Sequence, residues 1–293
     1  SSNMNGKGLD INLYPGKVPT TFKLDSIIES VSYLQLKLTE EAAIGEVSQI
    51  RFYKDNILVL DRRNKTVVLY SNNGTPISRI GTIGKGPGEY LGVTNIEFNP
   101  YSNTIDLLSN GPKKIMRFDL ESLELKKEII LPEGPYLSNF YPKENSYLFN
   151  NDLFKSQYED FIFHFFTVSG SSGKIEHTYL PFKDYERVEQ KSAYLLRKSF
   201  YPFNDGSVSF YYENSSTIYQ LEGNKISPKY HFVFNGYPFV NNRLLDRKAR
   251  KELKVEAKET CCLNPLFEME NFIVGSYSFK DDWGELFIYS KKS

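Results

Sequence analysis

The side chains best suited to chemistry form an acidic pair beside the only tryptophan. Asp281, Asp282 and Trp283 are consecutive. An indole ring can stack on a sugar ring while neighbouring carboxylates accept hydrogen bonds from its hydroxyl groups. The three residues therefore suggest a carbohydrate-binding site, and the alternative is an ordinary exposed turn.

A second group is basic. Arg62, Arg63 and Lys65 follow one apolar run, and Lys113 and Lys114 begin another. Guanidinium and ammonium groups at such positions could hold an anionic ligand or the acidic patch of a partner protein. A merely solvated surface is the alternative.

The run from Gly81 to Tyr90 is rich in glycine and contains Lys85 and Glu89. A phosphate-binding loop would need Ser or Thr after its lysine and then a helix, whereas Gly86 follows Lys85 here and a strand is predicted next. We therefore expect a tight connection between strands rather than a phosphate site.

No residue pattern indicates a catalytic centre, a cofactor or a metal. The three histidines, His164, His177 and His231, have no ligand spacing, and no Gly-x-Ser-x-Gly motif occurs. Lys plus Arg equals Asp plus Glu at 36 each, so we expect no binding to nucleic acid or to an anionic membrane. No run of about 18 apolar residues predicts a transmembrane segment.

The elements that position these residues form a repeat. The first unit has apolar runs at Val47–Tyr53, Asn56–Leu60, Thr66–Tyr70 and Pro76–Ile80, and the second at Val93–Phe98, Thr104–Leu108, Lys114–Phe118 and Leu125–Leu131. Tyr70, Phe118 and Phe166 recur every 48 residues. Four short antiparallel strands per repeat predict an all-β fold, a β-propeller of four-stranded blades.

Later units are less complete. The fourth has runs at Ser207–Tyr212 and Thr217–Leu221, and the fifth at Asn271–Phe279 and Glu285–Tyr289. Between them, leucine and alanine recur every four residues and predict one inserted helix over residues 242–260. We expect residues 1–23 to be a flexible tether and residues 24–293 to be the propeller domain.

The predicted number of blades depends on a strand-like run that fits none of the visible units. Five units are visible, and the run Val31–Leu38 has strand character but belongs to none of them. In propellers such an early strand commonly completes the last blade. We therefore expect a six-bladed fold that is truncated at the C-terminus, or a five-unit variant.

One part of the sequence resembles a known family. Asp55–Asp61, Val67–Tyr70, Asn73–Gly74 and above all Gly84–Tyr90 are similar to the six-bladed propeller lipoproteins of bacterial cell envelopes, which are related to NHL-repeat propellers. The resemblance covers about residues 24–131. It implies export to the periplasm or outer membrane and a lipid anchor upstream of this chain.

In a propeller, the loop between the second and third strands lies on the same face as the crossing to the next blade. This rule predicts one rim that carries the basic residues above together with Lys85, Glu89, Tyr90, Tyr158, Glu159, Asp160 and the acidic pair beside Trp283. We expect an extracytoplasmic binding or scaffold protein that recognises a glycan or a partner protein. The alternatives are a lyase or hydrolase that acts at the channel mouth, and a purely structural subunit.

Overall fold

The computed structural model describes residues 8–15, 28–40, 42–151, 158, 160–182, 200–202, 207–211, 215–237, 261–279 and 282–291. These residues form strands, turns and extended segments. None of them forms a helix, and none therefore forms a helix that could span a membrane. The helix predicted over residues 242–260 lies outside the described residues.

The first sheet confirms the first predicted unit. A short N-terminal strand, β1 (Leu9–Leu13), belongs to another sheet. The first sheet contains the strands β2 (Gln49–Tyr53), β3 (Asn56–Asp61), β4 (Thr66–Ser71) and β5 (Pro76–Arg79). All neighbouring pairs from β2 to β5 are antiparallel. The two middle strands are continuous apolar runs because both of their faces are buried, whereas β5 alternates between half-buried and exposed residues.

The connection to the second sheet contains a two-residue parallel pair, β6 (Thr82–Ile83) and β7 (Glu89–Tyr90). The second sheet is β8 (Val93–Asn99), β9 (Thr104–Asn110), β10 (Lys113–Asp119) and β11 (Leu125–Ile130). The third is β12 (Phe140–Pro142), β13 (Ser146–Asn150), β14 (Phe163–Ser169) and β15 (Ile175–Pro181). Both sheets keep their strands in sequence order, so each is a meander.

The fourth sheet contains β16 (Phe200–Pro202), β17 (Val208–Phe210), β18 (Thr217–Glu222) and β19 (Lys225–Phe234), with β1 as a fifth strand beside β19. The fifth contains β20 (Cys261–Glu268), β21 (Phe272–Phe279) and β22 (Asp282–Ser290). Antiparallel meanders of this kind are propeller blades. The fold is therefore the predicted all-β propeller. It has five blades among the described residues, which correspond to the five units visible in the sequence rather than to the expected six.

The chain divides into two compact units. Unit 1 consists of residues 1–23, 152–164 and 181–293, and unit 2 of residues 24–151 and 165–180. In unit 2 a core of buried aliphatic and aromatic side chains lies between the first and second sheets and includes Leu58, Leu69, Ile96 and Phe118. Unit 1 has its own core around Phe232, which packs with Ile11, Ile273 and Tyr277.

Two N-terminal segments differ from their predictions. Leu9–Leu13, within the predicted tether, forms β1 and pairs in parallel with β19, because Ile11 and Leu13 point into the core of unit 1. Val31–Leu38 forms no strand in the described structure. Lys37 N–H donates to Gly74 O at 2.9 Å, and Leu36 covers one face of the first sheet, while Tyr33 is 96% exposed.

Candidate functional site

Within unit 2, the loops predicted to share a face do meet at one end of the first two sheets. Ile80 N–H donates to Val67 O at 2.9 Å, so the crossing from the first sheet to the second begins next to the start of β4. Leu91 N–H donates to Gly111 O at 3.3 Å, which joins the crossing to the β9–β10 turn. We call residues 61–66, 80–93, 110–113 and 131–139 the loop end of unit 2.

Two of the predicted basic residues stabilise this loop end. Arg62 donates from Nε and Nη2 to the carbonyl of Thr94 at 3.2 and 2.6 Å. Lys113 donates from Nζ to the carbonyls of Gly134 and Pro135, both at 2.6 Å, and burial lowers the pKa of its ammonium group. These cations therefore satisfy backbone acceptors of strand β8 and of the loop after β11.

Lys114 is buried and holds the glycine-rich crossing through a carboxylate. It is 2% exposed, and its Nζ lies 2.5 Å from Glu128 Oε1. The same oxygen accepts a hydrogen bond from Gly88 N–H at 2.9 Å. Desolvation acts to raise the pKa of Glu128. The hydrogen bonds from Lys114 and Gly88 outweigh this effect and lower the pKa below its usual value. Lys114 thus points into the protein, away from the solvent.

The glycine-rich crossing binds carboxylates of its own chain. Glu89 Oε2 accepts a hydrogen bond from Gly86 N–H at 2.6 Å, and a Cβ on Gly84 would lie 2.1 Å from the same oxygen. Tyr90 is 2% exposed, donates to Ile80 O at 3.3 Å, and has a pKa raised to about 12 by burial. Glu89 and Tyr90 therefore shape the crossing, which agrees with the tight connection that the sequence predicted.

Three predicted cations remain exposed at the loop end. Arg63 and Lys65 lie in the β3–β4 turn and Lys85 in the crossing. None of the three has a hydrogen bond or an ion pair within the described part of the chain. The carboxylate of Asp61 holds the turn that contains Arg63 and Lys65, because it accepts hydrogen bonds from Gly45 N–H at 2.7 Å and from Asn64 N–H at 2.9 Å.

The other predicted residues belong to unit 1. Tyr158 is half-buried, and its ring packs edge-on against Phe161 with 6.5 Å between centroids. Asp282 and Trp283 begin β22, so their backbone continues a strand where the sequence suggested a turn. Glu159 and Asp281 lie outside the described residues, and Asp160 is exposed. A rim shared by these residues and the basic ones stays a prediction.

A polar layer that the sequence analysis missed joins the first strands of three sheets in unit 2. Arg51 Nε on β2 donates to Glu97 Oε1 on β8 at 2.6 Å. Gln49 Oε1 accepts a hydrogen bond from Ile96 N–H at 3.0 Å. Asn95 Nδ2 donates to Asn139 Oδ1 at 3.0 Å, just before β12. We call Gln49, Arg51, Asn95, Glu97, Asn139 and Tyr141 the first-strand polar layer.

The layer contains one acceptor that the chain does not satisfy. Asn95 is 1% exposed, and its Oδ1 receives a hydrogen bond from no donor among the described residues. Tyr141 at the same layer has a raised pKa because it is buried and lies near Tyr101 and Glu97. Buried polar groups normally have partners, so this unpaired amide oxygen is an exception within the layer.

A signal for this layer was present in the sequence. Polar residues alternate in the first run of the first two repeats, as Gln49 and Arg51 do in β2 and Asn95 and Glu97 do in β8. Alternation on one strand, however, is also typical of a solvated face. The pairings between sheets distinguish the two cases, and these become visible only in the structure.

Two further observations complete the site. Among the described residues, no three His, Cys, Asp or Glu side chains are grouped as metal ligands would be. His164, considered above as a ligand, is 6% exposed, and its ring lies 4.2 Å from that of Phe182.

The sheets and the loop end define a β-propeller protein that presents polar groups from loops and first strands. The chain belongs to the family described as Domain of unknown function (DUF4934), whose model matches residues 10–293. Comparison with curated proteins gives no match.

Two solved structures share the fold. One, named as an exported protein of Bacteroides fragilis, is 20% identical with a TM-score of 0.73, and the match covers 96% of this chain and 77% of that one. The other, a member of the DUF4221 family from Bacteroides vulgatus, is 14% identical with a TM-score of 0.56, over 84% of this chain and 75% of that one. At these identities the similarity is one of fold.

Proposed function

We propose that this protein works outside the cytoplasm as a binding protein, and that the loop end of unit 2 recognises an acidic glycan or an acidic surface of an envelope protein. One observation carries the proposal. Arg63, Lys65 and Lys85 are exposed cations without side-chain partners among the described residues, on loops held by partly buried hydrogen bonds. Cations whose charge is not neutralised by the protein favour an anionic ligand.

The location is inferred from the fold neighbour named as an exported protein and from the resemblance to envelope propeller lipoproteins. We propose a lipid-anchored protein of the periplasm or outer membrane, close to the NHL-like lipoproteins. Cell fractionation of the full-length native precursor, followed by detergent partitioning, tests this. Recovery in the cytoplasmic fraction would contradict it.

A charge-reversal experiment tests the loop end. The purified protein is applied to an array of acidic glycans, with acidic envelope proteins as a separate arm. The double variant Lys65→Glu and Lys85→Glu is compared with Lys54→Glu and Lys174→Glu, which change the same charge in turns at the opposite ends of the strands. We expect at least a tenfold loss of affinity for the first pair and less than a twofold change for the second.

The outcomes separate the alternatives. Binding that is equal in both double variants would place recognition elsewhere on the protein. Binding to acidic proteins but to no glycan would favour a scaffold role. Trp283→Ala, assayed on the same array, tests the proposed stacking of a sugar in unit 1. Unchanged affinity for each bound glycan would remove Trp283, Asp281 and Asp282 from the proposed site.

A further inference from the structure

Tyr136 is an exposed aromatic side chain in the loop end of unit 2. It lies in the connection between β11 and β12 and is 45% exposed. Among the described residues, its hydroxyl has no hydrogen-bond partner and its ring packs on no other aromatic ring. The Tyr136 side chain is therefore accessible and available to a ligand.

Hydrogen bonds hold the backbone on both sides of Tyr136. The carbonyls of the two preceding residues accept hydrogen bonds from Lys113 Nζ, both at 2.6 Å. Leu137 N–H donates to Asn110 Oδ1 at 2.9 Å, and Leu137 O accepts a hydrogen bond from Asn110 Nδ2 at 2.8 Å. Because tyrosine has only two side-chain torsions, a ring on this backbone can contact a ligand at a low cost in conformational entropy.

Arg62 brings a positive charge close to the Tyr136 ring. Its guanidinium group is held by Thr94 O, which accepts hydrogen bonds from Nε at 3.2 Å and from Nη2 at 2.6 Å. Thr94 Oγ1 donates to the carbonyl of Leu137, the residue after Tyr136, at 3.3 Å. Burial raises the pKa of Tyr136, and the charge of Arg62 acts to lower it, so the two side chains are neighbours.

Arg62 retains donors for a ligand. A guanidinium group has five N–H donors, and the bonds to Thr94 use only one on Nε and one on Nη2. Arg62 is exposed, and Nη1 has no acceptor among the described residues. The edge formed by Nη1 and Nη2 can therefore donate to both oxygens of a carboxylate.

We propose that Arg62 and Tyr136 form a subsite for an acidic sugar unit, in which Arg62 binds the carboxylate of a uronic acid and Tyr136 packs on the C–H face of its pyranose ring. The two side chains match the two parts of such a sugar, its anion and its apolar face. An acidic peptide has carboxylates but no pyranose ring, so it would gain from Arg62 and little from Tyr136. The subsite rests on the proposed function, because it selects the acidic glycan among the two ligand classes of the loop end.

Uronic acid oligosaccharides and variants of Tyr136 test the subsite. The purified protein is titrated in a calorimeter with hexasaccharides of galacturonate, glucuronate and mannuronate, each compared with its neutral methyl ester. We expect at least one hexasaccharide to bind, and its ester to bind at least tenfold more weakly. Tyr136→Ala should weaken the bound hexasaccharide about tenfold, whereas Tyr136→Phe, which keeps the ring, should weaken it less than threefold.

Tyr101→Ala is the matched control for the ring. Tyr101 is 46% exposed and lies in the β8–β9 turn, at the opposite end of the strands from the loop end. Its removal should change the affinity for the hexasaccharide less than twofold. Circular dichroism of each variant checks that the fold is kept.

A poly-glutamate peptide separates recognition of the sugar from recognition of charge. Tyr136→Ala should leave its affinity within twofold of the wild type. Arg62→Lys keeps the charge but loses the fork that holds Thr94 O and a carboxylate together, so it should weaken both the peptide and the hexasaccharide.

Three results would overturn the subsite. The first is that no hexasaccharide binds to the wild-type protein, a measurement that does not depend on the folding of any variant. The second is that Tyr136→Ala binds the hexasaccharide as the wild type does. The third is that Tyr136→Ala weakens poly-glutamate as much as the hexasaccharide, which would show that the ring does not recognise a sugar.

The subsite and the proposed function fail differently. If Lys65→Glu with Lys85→Glu abolishes hexasaccharide binding while Tyr136→Ala retains it, the loop-end function stands and the subsite is wrong. If Tyr136→Ala and Arg62→Lys lose the hexasaccharide while the charge reversal has no effect, the subsite stands and the role proposed for the exposed lysines is wrong. Binding of poly-glutamate without any hexasaccharide would leave a loop end that recognises acidic proteins and would remove the subsite.

Discussion

The hydroxyl of Tyr147 on β13 donates a 2.5 Å hydrogen bond to Asp106 Oδ2 on β9, and both side chains are completely buried. The bond therefore joins the second sheet to the third. Arg117 donates to the same hydroxyl. Thr104 Oγ1 donates to Asp106 Oδ1 at 2.8 Å, and Asn99 Nδ2 donates to Asp106 Oδ2 at 2.9 Å. Burial raises the pKa of Asp106 above its usual value, because it outweighs the opposing effects of Arg117 and these donors.

Removing the Tyr147 hydroxyl tests how much this hydrogen bond between the two sheets contributes to stability. We expect Tyr147→Phe to lower the free energy of unfolding by about 1 to 3 kcal/mol, because a buried carboxylate and a guanidinium group each lose a partner. Urea denaturation measures the change. Tyr53→Phe is the control, since its ring packs on Phe98 at 5.5 Å and should lose about 0.5 kcal/mol or less. Equal losses in the two variants would show that the Tyr147 bond contributes nothing specific.

The sequence predicted the sheets well because the signal for each strand is local. The turn at Asn73–Gly74 and the apolar runs around it placed β4 and β5 correctly, with Gly74 at a φ of 79°. The pairing of β1 with β19 could not be read in this way. Leu9 is opposite Tyr230, more than two hundred residues away in the sequence. A short apolar run does not indicate which distant strand it will pair with.

Some predictions for single side chains were right and others were wrong, for a similar reason. Lys65 and Lys85 are exposed because they lie in a turn and in a crossing, as their positions suggested. Lys114 also lies next to a turn, but Glu128 on the neighbouring strand draws it inward. Asn95 was overlooked because its hydrogen-bond partner is Asn139, which directly precedes the next sheet. Position along a strand was predictable, and contacts between strands or sheets were not.

Asp61 predicts a pH dependence of stability. Desolvation acts to raise the pKa of this carboxyl, but hydrogen bonds from Asn64, Gly45 and Glu46 outweigh it and lower the pKa below 3.8. A lowered folded-state pKa stabilises the protein above pH 3.8, and this contribution is lost as the pH falls through the folded pKa. We expect Asp61→Asn to cost about 1 to 3 kcal/mol at pH 7 and clearly less near pH 3.

Denaturation of the wild type and Asp61→Asn from pH 7 to pH 3 measures this difference. Asp55→Asn is the control, because that carboxylate lies in an exposed turn and bonds only Asn72 among the described residues. Its effect should be small and nearly independent of pH. A constant deficit for Asp61→Asn across the whole range would mean that the charge of Asp61 does not matter.

The start of the crossing requires glycine at position 81. Its φ is +68°, and a Cβ there would lie 2.9 Å from the Tyr90 ring and 3.0 Å from Gly88 O. We expect Gly81→Ala to lower the free energy of unfolding by about 1 to 3 kcal/mol, since it adds both strain and a steric clash. Gly92→Ala should change it little, because nothing lies within 4 Å of a Cβ at that position. Thermal unfolding of both variants decides, and equal melting temperatures would contradict the requirement.

Ile11 tests whether the N-terminal strand is part of the fold. The side chain is 2% exposed and packs in the core of unit 1, whereas Leu9 on the same strand is 57% exposed. We expect Ile11→Ala to cost about 2 to 5 kcal/mol, because it leaves a cavity between β1 and its neighbours. Leu9→Ala should cost about 0.5 kcal/mol or less. A tether outside the fold would make both substitutions neutral in urea denaturation, so a clear loss for Ile11→Ala alone would assign β1 to the propeller.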